Sequence, residues 1–169
     1  MMNELVRGSV AVVGAAESDL GQVAPNTNPM DLMAQATLRA LEDCGLTLKD
    51  VDGLFVAATQ VRMGPMAFAE YLRIKPRYFD GTIIGGSSFM SHVAHAHAAL
   101  QLGLCSVAVI AYGSTQRSVS RAAASPRDFN PYESPYRPFL PSSAYAMAAM
   151  RHMHQYGTKR EHFAEVAVA

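Results

Sequence analysis

The stretch Ser88–Leu102, SFMSHVAHAHAALQL, has helical spacing but no wet face, because serine, histidine and one late glutamine are its only polar groups. It lies inside 36 consecutive residues, between Asp80 and Arg117, that contain no Asp, Glu, Lys or Arg. A helix that is apolar all round is buried on every side. A membrane span would need about twenty consecutive apolar residues, and the glycine, serine and histidine interruptions leave no such run. We therefore expect a helix over about Phe89–Leu102 that is covered by a second layer, most naturally another sheet. The chain on either side contains too little strand to build that layer, so the covering half is expected from elsewhere.

Working outward, strands and helices alternate. Ser9–Gly14 (SVAVVG) is a continuous β-branched run of the kind buried on both faces of a parallel sheet. Asn28 offers an N-cap and Pro29 suits the first turn of a helix carrying Met30, Ala34, Leu38 and Leu41, which Gly45 stops. Val51–Ala58 predicts a second strand, Pro65–Leu72 a short helix, Thr82–Ile84 a brief strand and Val107–Tyr112 a fourth strand. This β-α-β-α-β-α-β order predicts an α/β fold with a mostly parallel sheet and right-handed crossovers. From Gly113 to Pro141 the texture turns to Ser, Arg and Pro, which predicts a long surface excursion of functional character. Ser142–Tyr156 resumes a helix, and Thr158 with Glu161 has the spacing of a capping box for a last helix reaching Ala169. The division expected is a core over 1–112 and a loop subdomain with two helices over 113–169.

That last helix stops at EVAVA with no glycine, polar cap or basic final turn, so a polypeptide continuing past Ala169 is expected. The competing reading is a helix that frays at the chain end.

Composition bounds the function. Of 169 residues, half are apolar and 17% charged, with 14 basic and 14 acidic side chains, which describes a globular domain rather than a disordered one. A net charge of zero leaves no basic excess for nucleic acid or an anionic membrane surface. Cys44 and Cys105 are the two cysteines. They lack the close pairing of zinc sites or disulfide frameworks and suit a reducing cytoplasm. Glu4 precedes Arg7 ahead of a short apolar run ending in glycine, unlike a signal peptide.

Taken in order, VAVVGAAESDLG, NPMDLMAQATLRALEDCGLTLKDVDGLFVA, the Gly85-Gly86 pair opening the uncharged helix, YGS, and SSAYAMAAMRHMHQYGTKREHFAEVAVA resemble the N-terminal half of the thiolase family. The likeness is strongest to its sterol-carrier and lipid-transfer type, the acetyl-CoA acetyltransferase-like members. It covers nearly the whole chain, and LEDCGLTLKDVDG is its sharpest part. It implies two similar α/β halves in five layers with buried helices between two sheets, of which this chain supplies one and the C-terminal half is absent. It implies CoA thioesters as substrates, coenzyme A being part of the substrate with no separate bound cofactor, and a homodimer.

In thiolases the nucleophile is a cysteine at the start of the buried helix, where the helix dipole favours a thiolate. Here the turn reads Gly85-Gly86-Ser87-Ser88-Phe89. Alignment on the glycine pair puts Ser87 at the nucleophile position, whereas counting back from Gly103 puts Gly86 there; neither supplies a thiol. Serine needs an adjacent general base that a helix-terminal cysteine does not. Backbone N–H groups beside glycines can still hold a thioester oxygen as charge develops. The GGSSF turn looks like the branch of thiolase-like proteins that lacks the cysteine and performs retro-aldol cleavage of CoA-linked steroid side chains, bound to small subunits with an OB fold and a zinc ribbon. By the same resemblance Gly85, Gly86, Ser88 and Phe89 border the substrate, Phe139, Leu140, Pro141 and Ser142 line the pantetheine tunnel, and Arg117, Arg121, Arg127 and Arg137 lie near the CoA tail. The catalytic acid and base belong to the absent half, so this piece alone is expected to be inactive.

Other readings are weaker. A serine-hydrolase elbow would need a glycine where Phe89 stands, and Gly14-Ala15-Ala16-Glu17 does not make a dinucleotide fingerprint. His92 and His95 lie one turn apart, but with no carboxylate nearby in sequence we expect buried neutral rings, with His97 apart from them, and no metal site. Met147, Met150 and Met153 read as packing. Two alternatives to cleavage remain open: acyl transfer with serine in place of cysteine, and a non-catalytic acyl-CoA-binding scaffold.

Overall fold

The structure, a computed structural model, describes residues 6–119, 131–139 and 141–169. It forms two compact units, Met1–Pro126 and Arg127–Ala169. In the first unit the order is α1 (Pro29–Asp43), β1 (Gly53–Val56), α2 (Gly64–Leu72), β2 (Tyr78–Asp80), α3 (Ser88–Gln101) and β3 (Ala108–Ala111). The second holds a 3-10 turn (Ser134–Tyr136), α4 (Ser142–Tyr156) and α5 (Arg160–Val168).

The three strands make one all-parallel sheet in the order β2-β1-β3. Leu54 of the central strand faces Phe79 on one side and Val109 on the other. All four residues of β1 are buried, as a near-continuous apolar run in a parallel sheet requires. One side of the sheet packs Leu54 and Val56 against Met33 of α1 and Phe68 and Leu72 of α2. The other side packs Phe55 against Ala96 and Ala99 of α3 and Cys105.

The start of α1 is as its residues predict. Asn28 caps it by accepting from Met30 N at 2.8 Å, while Asp31 returns a carboxylate to Asn28 N at 2.8 Å. Gly113 shows why the chain after β3 needs a glycine: a Cβ there would collide with the Pro29 carbonyl and crowd Met33.

Three expectations are corrected. Ser9–Gly14 forms no strand; Val12 is 86% exposed, and direct pairing of Gly53 with Ala108 leaves no slot for it beside the centre of the sheet. The third strand is Tyr78–Asp80 rather than Thr82–Ile84, because the Asp52 carbonyl accepts from both Arg77 N and Tyr78 N and draws that earlier segment onto β1. The last helix begins after Lys159, whose N–H donates to the His162 ring at 3.3 Å, so Thr158 is not its cap. Helix α3 buries one face, through Ser88, His92, Ala96 and Ala99, whereas Met90 and Val93 on the other are 71% and 46% exposed. Among the described residues of the first unit no second layer covers that outer face. No helix among them is long and apolar enough to cross a membrane.

Candidate functional site

The carboxyl ends of parallel strands are where α/β sheets place their ligands, because the following loops and helix N-termini converge there. In this chain that edge is built from the loop after β1, the Gly81–Ser87 link from β2 to α3, and Tyr112–Thr115 after β3. Gln60 ties two of these together: its Oε1 accepts from Ser114 Oγ at 2.9 Å and Thr115 N at 3.0 Å, and its Nε2 donates to Thr115 Oγ1 at 3.2 Å. Phe89 packs edge-on against Tyr112 with ring centroids 5.1 Å apart.

The glycine–serine turn is held from within. Gly85 takes a positive φ of 79°, which a side chain would strain. Ser88 is fully buried; its Oγ accepts from Ile84 N at 2.9 Å and donates to the Gly85 carbonyl at 2.6 Å. The hydroxyl is thereby spent on the turn. Ser87, the candidate nucleophile, is exposed at the N-cap and makes no side-chain capping bond, and among the described residues no basic side chain bonds its hydroxyl. Gly86 is exposed, so the turn brings Gly85, Gly86, Ser87, Ser88 and Phe89 together at the head of α3.

One participant is missing from the sequence reading. Asp80, the last charge before the uncharged stretch, ends β2 and turns into α3: its Oδ1 accepts from Thr82 N and Thr82 Oγ1, each at 2.8 Å, and its Oδ2 accepts from His95 Nδ1 at 2.5 Å. His92 Nε2 lies 3.8 Å from Oδ1. The two histidines therefore do have a local carboxylate, contrary to the sequence reading, because folding brings it from outside the helix. Burial pushes the Asp80 carboxyl up, but the Thr82 donors and the His95 ring outweigh it, leaving the group below the ordinary aspartate range. Burial likewise holds His92 below the ordinary histidine range, against the opposing pull of Asp80 and the Thr82 backbone. Its ring is completely buried, and among the described residues neither nitrogen has a partner at hydrogen-bond geometry. His97 lies apart, its Nε2 3.0 Å from Ser9 Oγ. No group of three or more His, Cys, Asp or Glu among the described residues is arranged to hold a metal ion.

Neither cysteine belongs to this edge. The Cys44 thiol donates to the Ala40 and Leu41 carbonyls at the end of α1, and buried Cys105 precedes β3, packed against Gly53. Burial foremost, helped by Asp52, pushes the Cys105 thiol up. Phe139, Pro141 and Ser142 belong to the second unit: Phe139 N donates to Ser143 Oγ at 2.8 Å, Pro141 stands at the N-cap of α4 and Ser142 opens it. Leu140, Arg121 and Arg127 lie outside the described residues, and Arg117 and Arg137 are exposed.

No protein-family model matches the chain. It is 28% identical, over 98% of its length, to the 17-hydroxy-3-oxo-4-pregnene-20-carboxyl-CoA lyase of Mycobacterium tuberculosis, covering 45% of that protein. It is 29% identical, over 95% of its length, to a steroid side-chain-cleaving aldolase of Thermomonospora curvata, covering 44% of it. An acetyl-CoA acetyltransferase of Methanothermobacter thermautotrophicus is 29% identical over 94% of the chain and 43% of the relative. Among solved structures, the Ltp2-ChsH2(DUF35) aldolase aligns with a TM-score of 0.63 and 26% identity over 89% of this chain and 40% of that one. An acetyl-CoA acetyltransferase from Syntrophomonas wolfei shares the fold, with a TM-score of 0.53 at 18% identity over 75% of this chain and 32% of that one. The chain thus spans less than half the length of these curated relatives. Homologues and structural neighbours are thiolase-like proteins, steroid aldolases among them, and the α/β fold of this chain, with its small all-parallel sheet, matches a thiolase-like half fold.

Proposed function

We propose that this chain is part of an enzyme that cleaves a carbon–carbon bond of a lipid or steroid acyl-CoA by retro-aldol chemistry, without an acyl-enzyme. The observation that carries the reading is the head of α3, which offers backbone donors but no thiol: the turn places Gly86 and Ser87 where a nucleophilic cysteine would stand, and the Ser88 hydroxyl is consumed by the turn. A helix N-terminus carries partial positive charge and free N–H groups, which stabilise an oxygen as it becomes anionic. In a retro-aldol step the proton leaves the β-hydroxyl and the bond between the α and β carbons breaks. The electron pair passes into the thioester enolate, which is then protonated at the α carbon. The products are a shorter acyl-CoA and a ketone. That chemistry needs an oxyanion site and proton transfer, and it does not need a thiol. The names of the lyase and aldolase relatives agree with it.

Coenzyme A enters only as part of the substrate. The enzyme works in the cytoplasm as a homodimer together with a small second subunit of OB-fold and zinc-ribbon type; the paired name of the Ltp2-ChsH2 aldolase supports a two-component assembly. The test is incubation of the full-length gene product, with its small subunit, with an acyl-CoA bearing a tertiary β-hydroxyl. Chromatography should show a shortened acyl-CoA and a ketone, and intact-mass analysis should show no acyl adduct. An adduct on Ser87 would establish acyl transfer instead. Tight acyl-CoA binding without cleavage would establish a scaffold.

A further inference from the structure

We propose that Asp80 and His95 form a clasp that positions the N-terminus of α3 for the chemistry proposed above, making them positioning residues rather than catalytic ones. The inference deepens that reading and rests on it.

The argument is geometric. The Asp80 carboxylate accepts three hydrogen bonds in two directions: Oδ1 holds Thr82, at the start of the link to α3, and Oδ2 holds His95, two turns inside the helix. Ser88 closes the other end of the link by its bonds to Ile84 and Gly85. The segment carrying the glycine pair is therefore tied at both ends, and the helix is fixed both along and about its axis relative to the sheet edge. His92 cannot substitute for His95. Its nearer nitrogen stands 3.8 Å from Asp80, and its ring is wedged between Phe55 and Phe89 at centroid distances of 5.9 and 6.3 Å. Donors aimed at a developing oxyanion need such support, since a shift of about 1 Å away from the reacting atoms can cost about a hundredfold in rate.

The test compares His95→Leu, which removes the donor, with His95→Asn, whose amide N–H can replace Nδ1–H. The His95 side chain is 42% exposed, so both variants of the full-length protein should fold. The first readout is hydrogen–deuterium exchange of the amides from Ile83 to Met90. Exchange should accelerate at least about tenfold in His95→Leu and return most of the way to wild type in His95→Asn. The second readout is cleavage kinetics, where His95→Leu should lower kcat about tenfold or more while KM stays within about twofold, with rescue by Asn. Unchanged exchange in His95→Leu, or equal acceleration in both variants, overturns the clasp. A wild-type protein that cleaves nothing while the exchange pattern holds overturns the proposed function and leaves the clasp standing.

Discussion

Ser88 Oγ accepts a hydrogen bond from Ile84 N and donates one to the Gly85 carbonyl, so one buried hydroxyl closes the turn on which the candidate site is built. Its neighbour Ser87, by contrast, has no capping bond. Ser88→Ala should lower the unfolding free energy by about 1–3 kcal/mol, because it strands the Ile84 backbone donor, whereas the Gly85 carbonyl keeps its bond from Ser88 N. Ser87→Ala should stay within about 0.5 kcal/mol, and, if no acyl-enzyme forms, should retain cleavage activity within a few-fold. Urea melts of the two variants check the first contrast and steady-state kinetics the second.

Gly113→Ala should be more harmful than a glycine-to-alanine change in an open loop. The added methyl would meet the Pro29 carbonyl and Met33, both held by the cap and core of α1. Overpacking of this kind costs about 1–3 kcal/mol. Gly21→Ala, where a Cβ meets no neighbour within 4 Å but φ is positive, is the control for conformational strain without collision. Thermal unfolding of both should place Gly113→Ala lower.

Acid should destabilise the protein through the α3 cluster. Asp80 lies below the ordinary carboxylate range when folded, so the unfolded chain binds its proton first and this contribution is lost as pH falls through the folded value. His92 acts in the same direction, because the unfolded state protonates near the ordinary value of about 6.5 while the buried ring resists. Unfolding free energy measured by denaturant at successive pH values should therefore decline from below about pH 6.5 into the acid range. His92→Phe should remove the upper part of that decline.

The two thiols should differ in reactivity. Cys105 is buried and its thiol is pushed up, which disfavours the thiolate that attacks alkylating reagents. Cys44 is only half-buried. Treatment of the native protein with iodoacetamide at neutral pH should add a single label, located at Cys44 by peptide mass analysis. Labelling at Cys105 should await unfolding.

What could be read from the residues was mostly local. Asn28 and Pro29 announce the start of α1 because a cap is decided within four residues. The apolar runs of β1 and β3 and the glycine–serine turn are similarly self-contained. Ser9–Gly14 misled because β propensity describes a side chain's fit to a sheet, whereas a strand exists only where the run pairs with an edge, and this one pairs with neither β2 nor β3. Thr82–Ile84 misled for the same reason: its β-branched residues lost the edge to Tyr78–Asp80, which the Asp52 carbonyl anchors. Asp80 could not be recognised as part of the site, since its link to His95 crosses a strand end, a turn and two helical turns. The one available signal was its place as the last charge before the uncharged stretch.

The central position of β1 also bears on how the protein is made. Leu54 pairs with Phe79 and Val109, so the middle strand leaves the ribosome first and waits for both neighbours. At ordinary synthesis rates the second neighbour follows about 3–11 s later. During that interval Leu54, Phe55 and Val56 present an unpaired apolar edge. Nascent chains should therefore engage chaperones at this segment, and slowing translation should lower soluble yield more than warming the finished protein would suggest.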